Sequence, residues 1–140
     1  MPFKFEKLDV WHLALDYIDV IYELAALLPR SEEYNLKSQI CRAATSVALN
    51  IAEGSTGQTD AEQARFLGLA IRSLVETVAC LHIVRRRTLV QDETLLNQIY
   101  RAAEILAAKL HSLRKTIAPD QRWLREIADD YGIDKADEDE

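Results

Sequence analysis

The sequence predicts an all-α protein: an antiparallel up-down-up-down four-helix bundle with a short C-terminal helix and an acidic tail. Only 4 Gly and 3 Pro interrupt 140 residues, of which 49% are hydrophobic and 29% charged. That composition is typical of a helical protein with few loops. Apolar residues recur at helical spacing in four long stretches, and the connections between them are short, so consecutive helices should be antiparallel neighbours.

The first helix is expected from Leu8 to Leu28, after a short arm in which Phe3 and Phe5 should pack across a helix. Its polar residues are almost confined to one narrow stripe: Asp9, His12, Asp16, Asp19 and Glu23. A helix on the outside of a monomeric bundle needs only about a 100° apolar face. The excess apolar surface indicates either a thick core in a monomer or a subunit interface, and we favour the interface.

The second helix should begin after Ser31 or Asn35, either of which can serve as its N-cap. It carries an apolar face at steps of three and four residues: Leu36, Ile40, Ala43, Val47 and Ile51. Gly54 is expected to end the helix in a left-handed conformation.

A second, polar stripe runs along the same helix: Arg42, Ser46, Asn50 and Glu53. If the chain turns near Gly57, Arg42 falls level with residues 72–76, which predicts an Arg42–Glu76 ion pair with Asn50 and Ser73 nearby. We interpret these six residues as a structural network that fixes helix register or subunit packing. A catalytic site is disfavoured because neither His nor Cys joins the stripe.

For the third helix, Thr59 with Glu62, or Asp60 with Gln63, offers a capping box. It should run to about Arg87 with its core stripe at Leu67, Ala70, Leu74, Val78 and Leu81. A turn at residues 88–91 then predicts a fourth helix that starts at Asp92 and runs up to Pro119. Its apolar stripe is Leu96, Ile99, Ala103, Leu106, Leu110, Leu113 and Ile117.

The charge is unevenly distributed along the chain. Residues 1–118, the predicted bundle domain, hold 14 Lys/Arg and 14 Asp/Glu, whereas residues 119–140 hold 3 and 9. The whole net charge of -6 therefore lies at the C-terminal end. We expect residues 119–132 to form a short amphipathic helix with Trp123, Leu124 and Ile127 on one side, and residues 133–140 to be an acidic disordered tail.

Five basic residues are expected at one end of the bundle: Arg30, Lys37, Arg85, Arg86 and Arg87. They are candidates for a nucleic-acid-binding patch. The alternative, which we weigh more heavily, is a set of helix-end charges that face nearby acids: Glu32, Glu33, Asp92 and Glu93. The neutral body also argues against avid binding, because phosphate contacts dominate nucleic-acid affinity.

Other chemistry is sparse in the sequence. Cys41 and Cys80 are expected to be reduced thiols, and no His, Cys or carboxylate spacing predicts a metal site. No phosphate-binding loop, nucleophile elbow or di-iron motif is present, so we expect no enzyme, no cofactor and no small-molecule substrate. No export signal or membrane anchor is expected, which makes the cytoplasm the default location.

Three stretches, FEKLDVWHLAL, LPRSEEYNLKSQICRAATSVALNIAEG and FLGLAIRSLVETVACL, resemble the bacterial four-helix bundle protein family. That family is also named for the ribosomal S23 or 23S rRNA intervening-sequence proteins, and it is related to accessory variability determinant proteins of diversity-generating retroelements. The resemblance covers about residues 3–117. One departure is Arg72-Ser73, where the family usually has Gly-Ser, which could change one close helix contact.

The resemblance implies a ring-like homopentamer, in agreement with the excess apolar surface. The retroelement relatives resemble basic pentamers that bind nucleic acid and a reverse transcriptase. We therefore expect a cytoplasmic, non-enzymatic oligomeric scaffold or adaptor that acts through protein contacts. The alternative is a homopentameric ring that binds RNA or DNA, associated with 23S rRNA intervening sequences or a retroelement reverse transcriptase.

Overall fold

A computed structural model describes residues 3–57 and 59–119 of the chain. It contains four long helices: α1 (Asp9–Leu27), α2 (Leu36–Ser55), α3 (Asp60–Arg86) and α4 (Glu93–Ile117). Single-turn 3-10 helices precede α1 at Lys4–Lys7 and α2 at Arg30–Glu32. The predicted all-α fold is confirmed. Apart from Pro119, the predicted C-terminal helix and acidic tail lie outside the described residues.

The helices pack as a four-membered bundle in chain order. Each long helix contacts its neighbours in the chain, and α4 closes the bundle against α1. The short connections make successive helices antiparallel, which is the predicted up-down-up-down order. In this arrangement the face formed by α1 and α2 is opposite the face formed by α3 and α4.

Local side-chain chemistry defines where α3 and α4 begin. The Thr59 hydroxyl accepts the backbone N–H of Glu62 at 3.1 Å, which is the N-cap half of the Thr59–Glu62 capping box. The Glu62 carboxylate pairs with Arg65 instead. Asp92 accepts the backbone N–H of Leu95 at 3.0 Å, so it is the N-cap of α4. Between the two helices Thr88 has a φ of 53°, the left-handed conformation that ends α3.

Gly54 does not end α2, contrary to the prediction. The helix continues through Ser55, and Gly54 is buried within it. A Cβ at this position would lie 2.8 Å from the Cβ of Phe66 on α3. The absence of a side chain therefore permits close approach of α2 to α3.

The core follows the predicted helical periods in most places. All five residues of the α2 stripe are buried, while Val78, Leu113 and Ile117 are only half-buried at the edge of the core. On α1, part of the wide apolar surface is not buried within the single chain. Tyr22 and Leu27 are 52% and 51% exposed, respectively.

The N-terminal arm packs against the helices as predicted, and it forms a 3-10 turn at Lys4–Lys7. The Phe5 ring meets the Trp11 ring edge-on, with centroids 4.6 Å apart. The arm also contacts α2. It therefore ties the start of α1 to the neighbouring helix.

One helix is more apolar than the sequence suggested. An 18-residue window of α3 has a mean hydropathy of 1.7, enough to cross a membrane by length and composition, although no such run was expected. Half of that window, 50%, is buried inside the fold. Core helices of soluble bundles pass the same test, so this feature is weak evidence for a membrane span.

Candidate interaction surface

Three of the predicted network residues form a hydrogen-bonded cluster between α2 and α3. The Ser73 hydroxyl donates to the Ser46 hydroxyl at 2.9 Å. The Asn50 amide donates to the Ser46 carbonyl at 2.9 Å and to its hydroxyl at 3.0 Å. Because a hydroxyl oxygen has two lone pairs, Ser46 can accept both side-chain bonds at once. The cluster therefore links the two helices without any charged group.

The predicted ion pair between Arg42 and Glu76 is not formed in the described part of the chain. Both side chains are exposed, and the Ser46–Asn50 cluster lies between the grooves that they line. Exposed charges gain little from pairing because water already solvates them. Glu53, the last member of the polar stripe, is likewise exposed and lies outside the cluster.

Two open grooves flank this cluster. The α1/α2 groove has a volume of about 420 Å³ and is lined by Tyr22, Cys41, Arg42, Thr45, Ser46, Leu49, Asn50 and Glu53. The α2/α3 groove has a volume of about 490 Å³ and is lined by Ser46, Asn50, Leu69, Arg72, Ser73, Val75, Glu76 and Ala79. Since Ser46 and Asn50 belong to both, the grooves form one continuous surface.

The Arg72-Ser73 pair that departs from the family pattern lies in the second of these grooves. Arg72 is exposed there, while Ser73 makes the contact with α2. The departure alters the surface of the groove and leaves the helix contact in place.

Large apolar side chains are exposed on all four helices of the bundle. On the α1/α2 face, Tyr22 and Leu49 are 52% and 54% exposed; we call them the first patch. On α3 and α4, Ile83 and Tyr100 are 46% and 39% exposed; we call them the second patch. The ring of His82 lies edge-on to Tyr100 at 6.2 Å, which joins α3 to α4 there.

The structure places the five basic candidates after α1, in the first turn of α2 and at the C-terminal end of α3, and acids accompany them. Arg85 donates to Glu93 at 3.4 Å and to Asn97 at 3.2 Å. Lys37 pairs with Glu33 at 3.0 Å. The remaining three, Arg30, Arg86 and Arg87, are exposed. The cluster is therefore a mixed-charge surface with three exposed arginines.

The two cysteine thiols of the bundle are poorly suited to nucleophilic chemistry. Burial raises the pKa of the Cys41 thiol, with nearby Lys37 opposing the shift, and burial also raises the pKa of Cys80. Both thiols therefore stay protonated near neutral pH, whereas the thiolate is the reactive form. Among residues 3–57 and 59–119, no three His, Cys, Asp or Glu side chains are grouped to hold a metal ion.

The fold is a four-helix bundle with open grooves on its outer surface. The chain belongs to the 23S rRNA-intervening sequence protein family, which its residues 6–112 match. This result confirms the family resemblance of the sequence motifs.

A solved structure supports the same assignment. It is a protein of unknown function from the S23 ribosomal protein family of Bacteroides thetaiotaomicron, and it is 25% identical in sequence. The two superpose with a TM-score of 0.69 over 76% of this chain and 98% of that chain. No curated protein matches the sequence.

Proposed function

We propose that this protein is a non-enzymatic, homo-oligomeric scaffold or adaptor that acts in the cytoplasm through protein contacts. The observation that carries the proposal is the pair of exposed apolar patches, one on α1 and α2 and the other on α3 and α4. Exposed apolar groups beside a groove are typical of surfaces that another protein covers. A second copy of the chain is the occupant we propose, since each copy offers both patches.

Contact between the first patch of one copy and the second patch of the next would be head-to-tail. Such heterologous contacts leave one patch open at each end, so they continue until the subunits close into a ring. A ring-like homopentamer, implied by the family resemblance, is one closed solution. An isologous dimer would instead use one patch twice and leave the other exposed.

The cluster of Ser46, Asn50 and Ser73 suits such an interface. Burying a polar group is costly only when its hydrogen bonds are lost, and these side chains already bond to one another. The cluster can therefore be covered by a neighbouring subunit at little cost. Polar groups in an otherwise apolar interface would also disfavour sliding of one subunit along the other, so a single alignment of the two subunits is favoured.

A matched pair of tyrosine variants tests the proposal. Tyr22→Asp places a charge in the first patch, whereas Tyr34→Asp makes the same change at a residue that is 96% exposed and outside both patches. We expect light scattering after size-exclusion chromatography to show an oligomer for the native chain and for Tyr34→Asp, and a 15.9 kDa monomer for Tyr22→Asp. A native monomer, or equal masses for the two variants, would contradict the proposal.

The second candidate function is nucleic-acid binding by the assembled ring. It is favoured by the three exposed arginines, Arg30, Arg86 and Arg87, which a ring would repeat around one end. The equal numbers of acidic and basic residues in residues 1–118, 14 of each, weigh against it. It predicts RNA affinity that falls with salt and weakens in Arg86→Ala/Arg87→Ala but not in Arg101→Ala, a change at an exposed arginine in the middle of α4.

A further inference from the structure

A third groove lies between α1 and α4, at the end of the bundle where the described chain stops. It has a volume of about 310 Å³ and is lined by Lys7, Leu8, Asp9, Val10, Lys109 and Leu113. We propose that this groove is the intramolecular docking site of the C-terminal segment, residues 120–140. The inference is independent of the proposed assembly.

The groove combines an apolar floor with a basic rim. Val10 is buried, and Leu8 and Leu113 are half-buried, so the floor offers partly covered apolar surface. Lys7 and Lys109 are exposed at the rim, opposed by a single acid of the lining, Asp9. A groove of this kind suits a segment that carries a few large apolar side chains together with carboxylates.

The C-terminal segment has that composition. Trp123, Leu124 and Ile127 are spaced so that a helical turn would place them on one side. Residues 120–140 contain 9 Asp/Glu and 3 Lys/Arg, a net charge of -6, whereas residues 3–119 contain 14 of each and are neutral. The segment therefore carries the net negative charge of this chain, which complements the lysines at the rim of the groove.

The segment also starts beside the groove. Leu113 is about one helical turn before Ile117, the last residue of α4. A chain extends by roughly 3.3–3.6 Å per residue, so the residues after Pro119 can fold back and bring Trp123 to the level of Leu113. Because the segment is tethered, its local concentration at the groove is on the order of millimolar, and a weak contact suffices to keep it docked.

Fluorescence of Trp123 tests the inference in the full-length chain. The protein has two tryptophans, and Trp11→Phe leaves Trp123 as the single reporter. We expect its emission to be blue-shifted and its quenching by acrylamide to be slower than for free tryptophan amide. Lys7→Glu/Lys109→Glu in that background should raise the quenching constant roughly twofold or more, because rim charges would then repel the segment.

The matched control places the same charge reversals away from the groove, as Lys37→Glu/Arg87→Glu at the opposite end of the bundle. It changes net charge equally and should leave quenching unchanged; thermal melting checks that each variant is folded. Full exposure of Trp123 in the starting protein, or equal effects of the two double variants, would overturn the inference. So would protection that disappears on dilution, since the segment would then dock on a second copy. Repeating the measurement with Tyr22→Asp separates docking from assembly.

Discussion

Tyr17 on α1 and Thr77 on α3 are joined by a 2.7 Å hydrogen bond that crosses the bundle diagonally. Both residues are fully buried, at 1% and 0% exposure. The Thr77 hydroxyl donates its proton to the Leu74 carbonyl at 2.6 Å, so Tyr17 must be the donor to Thr77. This bond connects two helices that do not follow each other in the chain.

That directionality predicts unequal costs for removing the two partners. Thr77→Val leaves the Tyr17 hydroxyl buried without an acceptor and should lower the free energy of unfolding by about 1–3 kcal/mol. Tyr17→Phe leaves Thr77 bonded to Leu74 and should cost about 0.5–1.5 kcal/mol. Urea denaturation of the two single variants and the double variant measures these values. The double variant should be more stable than Thr77→Val alone, and a double variant less stable than both singles would contradict the assigned direction.

Alkaline pH should weaken the fold through the same residue. Burial raises the pKa of Tyr17 to about 12. Above pH 10 the unfolded chain releases this proton while the folded chain retains it, so stability falls as the pH rises from about 10 to 12. Over this pH range the free energy of unfolding should decrease by roughly 2–3 kcal/mol. Denaturation at pH 9 and pH 11 should show a smaller decrease for Tyr17→Phe, and identical decreases for the two proteins would contradict the shift.

The α2 stripe could be predicted from the sequence because burial there follows a regular helical period. Thr77 could not, because periodicity does not show which polar residue faces a partner on a distant helix. Gly54 was misread because a glycine near a helix end indicates a left-handed cap or a close contact equally well. The proximity of Ser46, Asn50 and Ser73 was predicted in outline. The predicted Arg42–Glu76 ion pair was wrong, because the position of two residues along the helix axes does not reveal which groove each side chain enters.

The two buried glycines of the helices should respond differently to alanine. At Gly54 the new Cβ would meet the Cβ of Phe66 at 2.8 Å, an atom fixed to the α3 backbone. At Gly68 it would meet the guanidinium of Arg114 at 2.7 Å, the far end of a flexible side chain. We expect Gly54→Ala to cost about 1–3 kcal/mol through overpacking, and more than Gly68→Ala. Both substitutions gain similar helix propensity, so the reverse order in thermal denaturation would contradict the close α2–α3 contact.

The polar cluster should affect assembly as well as stability. Asn50→Leu removes the two hydrogen bonds to Ser46, and Glu76→Gln removes a charge from the α2/α3 groove. A decrease of about 1 kcal/mol in the binding free energy of each subunit contact would raise the dissociation constant several-fold. Light scattering over a dilution series measures that change. Unchanged oligomer size and unchanged melting in both variants would exclude a role for the cluster in the interface.

The most direct test of the central claim is to mix two patch variants and measure the mass by light scattering. Tyr22→Asp retains only the second patch, and Ile83→Asp retains only the first. Head-to-tail assembly predicts that each variant alone is a 15.9 kDa monomer and that an equimolar mixture forms a dimer of twice that mass. A mixture that stays monomeric while the native chain is an oligomer would contradict assembly through these two patches.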